Sequence, residues 1–164
     1  MALENVPASI AADGNFRITA VPSGSNALSV AILIGGTAVP LTYGFTPSGF
    51  NRNITENSVD DPRLTLKQVL SRPGTSTEVY EVQYVDSVDT KSAKVNLVEG
   101  TAWSLNMRYG VDNATVLTIG QKADVASIVC GKQRRDAPTA NGLQTISQTL
   151  YVTAPTVTDA VLVA

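Results

Sequence analysis

Alternation of apolar and polar side chains with a period of two, the signature of a half-buried strand, organises most of this chain. After the turn residues Asp13-Gly14-Asn15, the apolar Phe16, Ile18 and Ala20 alternate through 13–22, and Pro22-Ser23-Gly24-Ser25 closes that strand. The run from Ala27 to Ile34 is apolar without a clear period, so it reads equally as a short helix or a buried strand. Gly35-Gly36 breaks it, and Thr37 to Tyr43 resumes as a strand that Pro40 assigns to an edge or a bulge. Residues 44–61 read as a long polar loop holding two exposed-looking aromatics, Phe45 and Phe50. A connection of that length is usually functional or ordered by a partner.

The pattern then predicts a hairpin, 62–72 with 76–85, around the turn Arg72-Pro73-Gly74-Thr75. Leu64, Leu66 and Leu70 share one face of its first strand, and Tyr80, Val82 and Tyr84 one face of its second. Residues 89–100 are the best helix, with Asp89 or Thr90 as N-cap and Gly100 just past its end. Strands follow at 101–110, with Trp103, Leu105, Met107 and Tyr109 on one face, then at 123–135, 143–153 and 156–163. The strands 62–72, 76–85 and 123–135 carry polar residues on both faces, so water or a neighbouring subunit must cover them. The expected class is mostly β.

Composition supports that class and narrows the chemistry. The chain has 164 residues, enough for one domain with its own core. Only 16% of residues are charged, the net charge is −2, and no bulk attraction to nucleic acid follows. Histidine is absent, which excludes Ser-His-Asp and Cys-His catalysis and His-containing zinc sites. The single cysteine, Cys130, excludes an internal disulfide, and its place between Val129 and Gly131 reads as a small buried hydrophobe. Asp60-Asp61, the adjacent carboxylates, read as a solvated strand entry rather than a calcium or acid–base pair. Lys132, Arg134 and Arg135 form a basic cluster too small for a nucleic-acid patch, read instead as a solvated or interface-pairing strand end. Trp103 with Tyr109 could form a sugar platform, although their one-face alternation favours core or interface. Asn53-Ile54-Thr55 and Asn113-Ala114-Thr115 match the glycosylation sequon by chance, since no signal-peptide n-region precedes them. The longest apolar run, Ala27 to Val39, is too short to span a bilayer. Neither an enzyme nor a cofactor is expected.

Several stretches carry a resemblance beyond these patterns. NVPASIAADGN, YGFTPSGFNRNITENSVDDPRLTLKQVLSRPG, EVQYV, NLVEGTAWSLNMRYGV, ADVASIVCGKQRRDAP and the closing ISQTLYVTAPTVTDAVLVA together resemble the major tail tube proteins of long-tailed, non-contractile bacteriophages, of the kind common in actinobacterial phages. The likeness spans nearly the whole chain and rests on strand and turn texture rather than one motif. It implies a phage tail tube fold: a β-sandwich or barrel of two antiparallel sheets with one flanking helix, a single domain with a long assembly loop at about 44–61. It further implies hexameric rings that stack into a tube conducting the double-stranded DNA genome, in a virion tail assembled in the host cytoplasm beside tape measure, tail tip and terminator proteins, with no membrane partner. On that reading Phe45, Phe50, Asp60, Asp61, Arg134 and Arg135 are contacts between subunits or rings. Arg63, Lys67, Glu81 and Gln83 face the lumen, with Lys67 and Glu81 close enough to screen each other. Two other readings fit a β-domain of this composition: a carbohydrate- or surface-binding sandwich using Trp103 and Tyr109, and a capsid decoration or tail-terminator protein.

Overall fold

A computed structural model describes residues 8–64 and 67–164. Its described strands are β1 (Phe16–Pro22), β2 (Val39–Pro40), β3 (Phe45–Asp61), β4 (Leu70–Val85), β5 (Ala102–Tyr109), β6 (Lys122–Cys130), β7 (Arg134–Arg135), β8 (Thr145–Val152) and β9 (Val157–Val161). Two single helical turns interrupt them, α1 (Val30–Leu33) and α2 (Ala93–Asn96). Every ladder between these strands is antiparallel. Hydrogen bonds run along the order β2-β1-β5-β6-β8-β4-β3, with β7 on β8 and β9 on β6.

Two layers arise because β6 shares one edge between two strands. Ile128–Cys130 pair with Leu150–Val152 of β8, whereas Lys122–Val125 pair with β9. Beyond that short junction β8 turns away and carries β4 and β3 as a second layer. Between the layers lies the main core, with Ile18, Ala20, Leu105, Met107, Ala126 and Ile128 from one side and Tyr80, Val82, Tyr84, Ile146 and Leu150 from the other. Cys130 is buried there, as its sequence context predicts, and burial pushes its thiol pKa up. Phe16 of β1 meets Phe50 of β3 at 5.7 Å between ring centroids, so aromatics close the side opposite the β6–β8 junction. A smaller core on the outer face of β1, β5 and β6 packs Val21, Leu33, Leu117, Ala123 and Leu162.

Buried polar groups tie the irregular segments to this frame. Asn106 Nδ2 donates to Ala27 O at 2.8 Å, and Arg108, fully buried, donates to the carbonyls of Asp112 and Thr115 and to Gln121 Oε1. Gln148 accepts from the Tyr84 hydroxyl and donates to Leu97 O and Gly131 O.

Three expectations need correction. The segment 44–61 is no loop: after a tight turn over Thr42–Gly44 it forms the 17-residue strand β3. The hairpin partner of β4 is therefore β3, not 62–72, and the chain reverses across 62–69. Pro73-Gly74 instead lies within β4 at a register shift opposite Asn57, the irregularity where a strand tolerates proline. The helix foreseen at 89–100 is reduced to α2, capped by Ser92 rather than Asp89 or Thr90. Gln133 and Gln148 take the carbonyls of Lys94 and Leu97 that a continuing helix would have used, and Leu97 enters the core. The ambiguous run at 27–34 contains α1, and Pro40 sits on edge strand β2 as expected.

A second irregularity lies between Phe45 and Phe50, where Gly49 packs directly on β4. A Cβ there would stand 2.2 Å from Gln83 O and 2.3 Å from Thr46 Oγ1. Gly49→Ala is expected to cost about 2 kcal/mol or more in urea unfolding, because a backbone carbonyl has to move. Gly36→Ala, facing open space, is expected to be nearly silent in the same measurement.

Candidate functional site: a projecting two-stranded ribbon

β3 and β4 are longer than the body that holds them. β4 bonds β8 only from Val79 to Val85, while its ladder with β3 continues to Leu70 opposite Asp61. Past Val79, therefore, β3 and β4 form a two-stranded ribbon about 25 Å long with both outer edges unpaired in the subunit. Every residue from Asn51 to Asp60 and from Leu70 to Thr77 is exposed. Ribbons with no sheet or helix against them are marginal in water, and unpaired edges are templates for pairing. The ribbon and its reversal carry exposed apolar side chains: Ile54 and Val59 on β3, Leu64 in the reversal, Val69 just before β4 and Leu70 at its start.

A polar clamp holds the ribbon where it leaves the body. Arg52 Nε lies 2.7 Å from Glu78 Oε1, the Tyr80 hydroxyl donates to the same oxygen at 2.9 Å, and Thr156 Oγ1 does so at 3.0 Å. Partial burial works against the Glu78 carboxylate, yet the hydrogen bonds from Arg52, Tyr80 and Thr156 prevail and hold its pKa below the ordinary value. Tyr80 shifts the other way, raised first by burial and then by its bond to Glu78.

Within the body, the solvent face of β3, β4 and β8 is polar and close to neutral. Asn51, Glu81, Gln83, Ser147 and Thr149 line a shallow groove there with Arg134. Gln83 is engaged, accepting from Thr46 Oγ1 at 2.8 Å and donating to Asp136 Oδ2 at 2.9 Å. Asp136 also accepts from Thr145 and Ser147, and those hydroxyls, with Gln83, lower its pKa. At the same end Asp86 takes Lys94 and, at 3.2 Å, Arg135; the Lys94 bond is the main cause of its lowered pKa.

The singled-out residues fall in three places. Arg63 and Lys67 sit in the exposed reversal beyond β3, with Asp60 and Asp61 at its entry and Arg63 pairing with Asp61 at 2.8 Å. Glu81, Gln83, Arg134 and Arg135 lie at the body end of the same sheet. Glu81 stands opposite Asn51 and Thr149, roughly 35 Å of strand from Leu70, so it and Lys67 cannot screen each other. Phe45 and Phe50 are not free anchors. They pack against the core, 5.6 Å apart, with Phe50 stacked on Tyr80. Leu64 and Leu70, expected on a core face, are 94% and 52% exposed, whereas Tyr80, Val82 and Tyr84 are buried as expected. Thr65 and Leu66, part of the same alternation, lie outside the described residues.

Trp103 and Tyr109 cannot form one platform, since they stand at opposite ends of β5, about 20 Å apart. Trp103 packs against the core and Tyr109 stacks on Phe16 at 4.7 Å. Among the described residues there is no cluster of His, Cys, Asp or Glu able to hold a metal, and no helix long and apolar enough to cross a membrane. Sequence reasoning missed the apolar set along the ribbon. Its available signal was the alternation of Phe50, Arg52 and Ile54, which the intervening asparagines obscured.

A family model described as phage tail tube protein matches residues 3–164 of this chain. No curated protein matches it.

The clamp sets an acid sensitivity. Glu78 has a depressed folded-state pKa, so its contribution is complete above the ordinary glutamate value and lost as pH falls below about 4.5 toward the folded value. Asp86 and Asp136 act in the same direction. Glu78→Gln is expected to lower stability by about 1–2 kcal/mol at pH 7. The loss relative to wild type should shrink toward pH 3.5 when urea midpoints are compared across pH.

Proposed function

Because the chain belongs to the phage tail tube protein family, a family of structural virion-tail proteins, we propose that it forms hexameric rings that stack into the tube through which the genome passes. The observation that carries this reading is the ribbon beyond Val79, exposed on both faces and unpaired on both outer edges. A neighbouring copy bonding along those edges would remove the liability that free strands present, and closure around a ring would remove it for every subunit at once. The exposed residues 51–60 and 70–77, with Leu64 and 67–69 of the reversal, approach the roughly 20–30 residues that each partner gives to a standard interface. The ribbon takes the role that an ordered loop at 44–61 would have had, within a single tail tube domain.

In this reading the polar sheet face around Asn51, Glu81, Gln83 and Thr149 lines the channel. Amides and hydroxyls there offer DNA hydrogen-bonding groups, and Glu81 offsets Arg134 so that the face carries no net positive charge to hold phosphates. Arg63 and Lys67, at the ribbon tip, meet the next ring or the channel mouth, and Arg134 and Arg135 meet a neighbouring subunit. Assembly takes place in the host cytoplasm, with tape measure, tail tip and terminator proteins at the tube's interior and ends. A decoration or terminator protein would not polymerise, which separates that reading by experiment.

Purified protein at high concentration is expected to show rings and tubes by electron microscopy, and persistent monomer across a wide concentration range in sedimentation would refute the reading. Amides of 54–61 and 70–78 are expected to exchange quickly in free subunits and slowly in tubes; equal protection in both would separate the ribbon from assembly. Glu81→Lys should leave tube formation intact yet slow genome ejection, most strongly at low salt, because each ring gains a set of phosphate contacts. An unchanged ejection rate would move Glu81 out of the channel.

A further inference from the structure

The sheet of β3, β4 and β8 has a body end, remote from the ribbon. β3 starts there at Phe45, β4 ends there at Val85 and β8 starts there at Thr145. The ladders fix this, since Phe45 lies opposite Tyr84 and Val85 opposite Thr145. Each of these three strands carries an exposed large apolar residue just beyond that end. Tyr43, in the turn before β3, is 86% exposed; Val88, after β4, is 85% exposed; and Leu143, before β8, is 71% exposed. The three belong to one rim. Tyr43 shares a cavity with Ser87 and Asp89, which flank Val88 in the chain. Asp86 N donates to Gln144 O at 2.8 Å, which ties the residues after β4 to those beside Leu143.

Most polar groups around these residues are already engaged within the subunit. Asp86 takes Lys94 and Arg135, Asp136 accepts from Gln83, Thr145 and Ser147, and Lys91 donates to the carbonyls of Gly36 and Ala38. Arg17 and Asp89, which form no ion pair among the described residues, are opposite in sign and line the same cavity as Tyr43. Covering the rim therefore forfeits few bonds to water, while it removes three large apolar side chains from it. Apolar anchors within a bonded polar surround are the anatomy of a protein contact.

Membership of the tail tube family implies assembly with further copies of the chain. A tube of rings needs two kinds of contact, a lateral one that closes each ring and an axial one that joins rings. The free edges of the ribbon suit the lateral contact, because edges pair side by side. Strands of a closed barrel run tilted at roughly 35–45° to its axis, so their ends, not their faces, form its rims. With β3, β4 and β8 as channel wall, the set Tyr43, Val88 and Leu143 stands on one rim and recurs in every subunit around it. We propose that this body-end rim, anchored by Tyr43, Val88 and Leu143, is an axial contact, seated on another ring of the same chain. The proposal rests on the tube reading and adds to it the surface by which rings meet.

The test is the full chain carrying Tyr43→Ser, Val88→Ser and Leu143→Ser together. All three side chains are solvent-exposed in the subunit, so its urea midpoint should match that of the wild type. Rings are expected to close as before, while the critical concentration for tubes rises roughly tenfold or more and isolated rings accumulate in electron micrographs. Leu143→Asp alone gives a second measure with a single exposed change, and it should raise the critical concentration in the same direction. An unchanged critical concentration in either variant, once folded, would overturn the rim contact and leave the tube reading standing. Loss of rings together with tubes would also overturn it, by placing these residues in the lateral contact. A wild type that never assembles would overturn the tube reading itself, and the rim contact with it.

Discussion

Strand β4 serves two structures at once, and the rest of the molecule follows from that. Its C-terminal half is hydrogen-bonded on both edges, to β3 and to β8, and buries Tyr80, Val82 and Tyr84 in the main core. Its N-terminal half bonds β3 alone and carries no buried side chain. Because the two halves are one continuous strand, the body holds the ribbon's direction and twist. The Glu78 cluster lies at the change between them, where a carboxylate can gather Arg52, Tyr80 and Thr156 only if the ribbon leaves at one angle. A ribbon too weak to be ordered by itself is thus presented in a defined direction, which lowers the entropy lost on assembly.

The body that supports this lever is held together by polar side chains as well as by its apolar layers. Arg108 illustrates the cost and the use. Its guanidinium is buried without a carboxylate, its pKa is lowered first by burial and then by neighbouring Arg17, and Nε lacks a partner. What it gains is three acceptors on the 112–121 segment, which covers the outer core. Asn106 and Gln148 do the same for the segments at 27 and 97. Long stretches of this protein lack regular structure, and side-chain amides and one guanidinium take the places that helices would have filled.

In this member of the phage tail tube protein family the shifted ionisable groups serve the frame. The polar groups with shifted pKa values are Glu78, Asp86 and Asp136 among the carboxylates, and each shift is explained by bonds that hold segments together. The hydroxyls of Tyr80 and Tyr84 are likewise committed to Glu78 and Gln148.

By itself the sequence determined the mostly β class, the inward faces of β1, β5 and the second half of β4, and the burial of Cys130. These are properties of alternation, which depends on residues two apart and is legible without a fold. It also carried the family resemblance across nearly its full length. The strand expected over 123–135, polar on both sides in sequence, is instead β6, paired on both edges and packed on both faces within the subunit. The tertiary structure alone decided where the hairpin turns. Pro73-Gly74 is as good a turn as any in the chain, yet the ladder from Phe50 through Asp61 outweighs it and turns it into a bulge, because pairing along that whole ladder satisfies more backbone groups than one tight turn can. It also decided that Phe45 and Phe50 face inward while Leu64 and Leu70 face out. A strand's pattern gives which residues share a face; which face meets a core depends on where the body ends, and that is set by β8, sixty or more residues further along the chain.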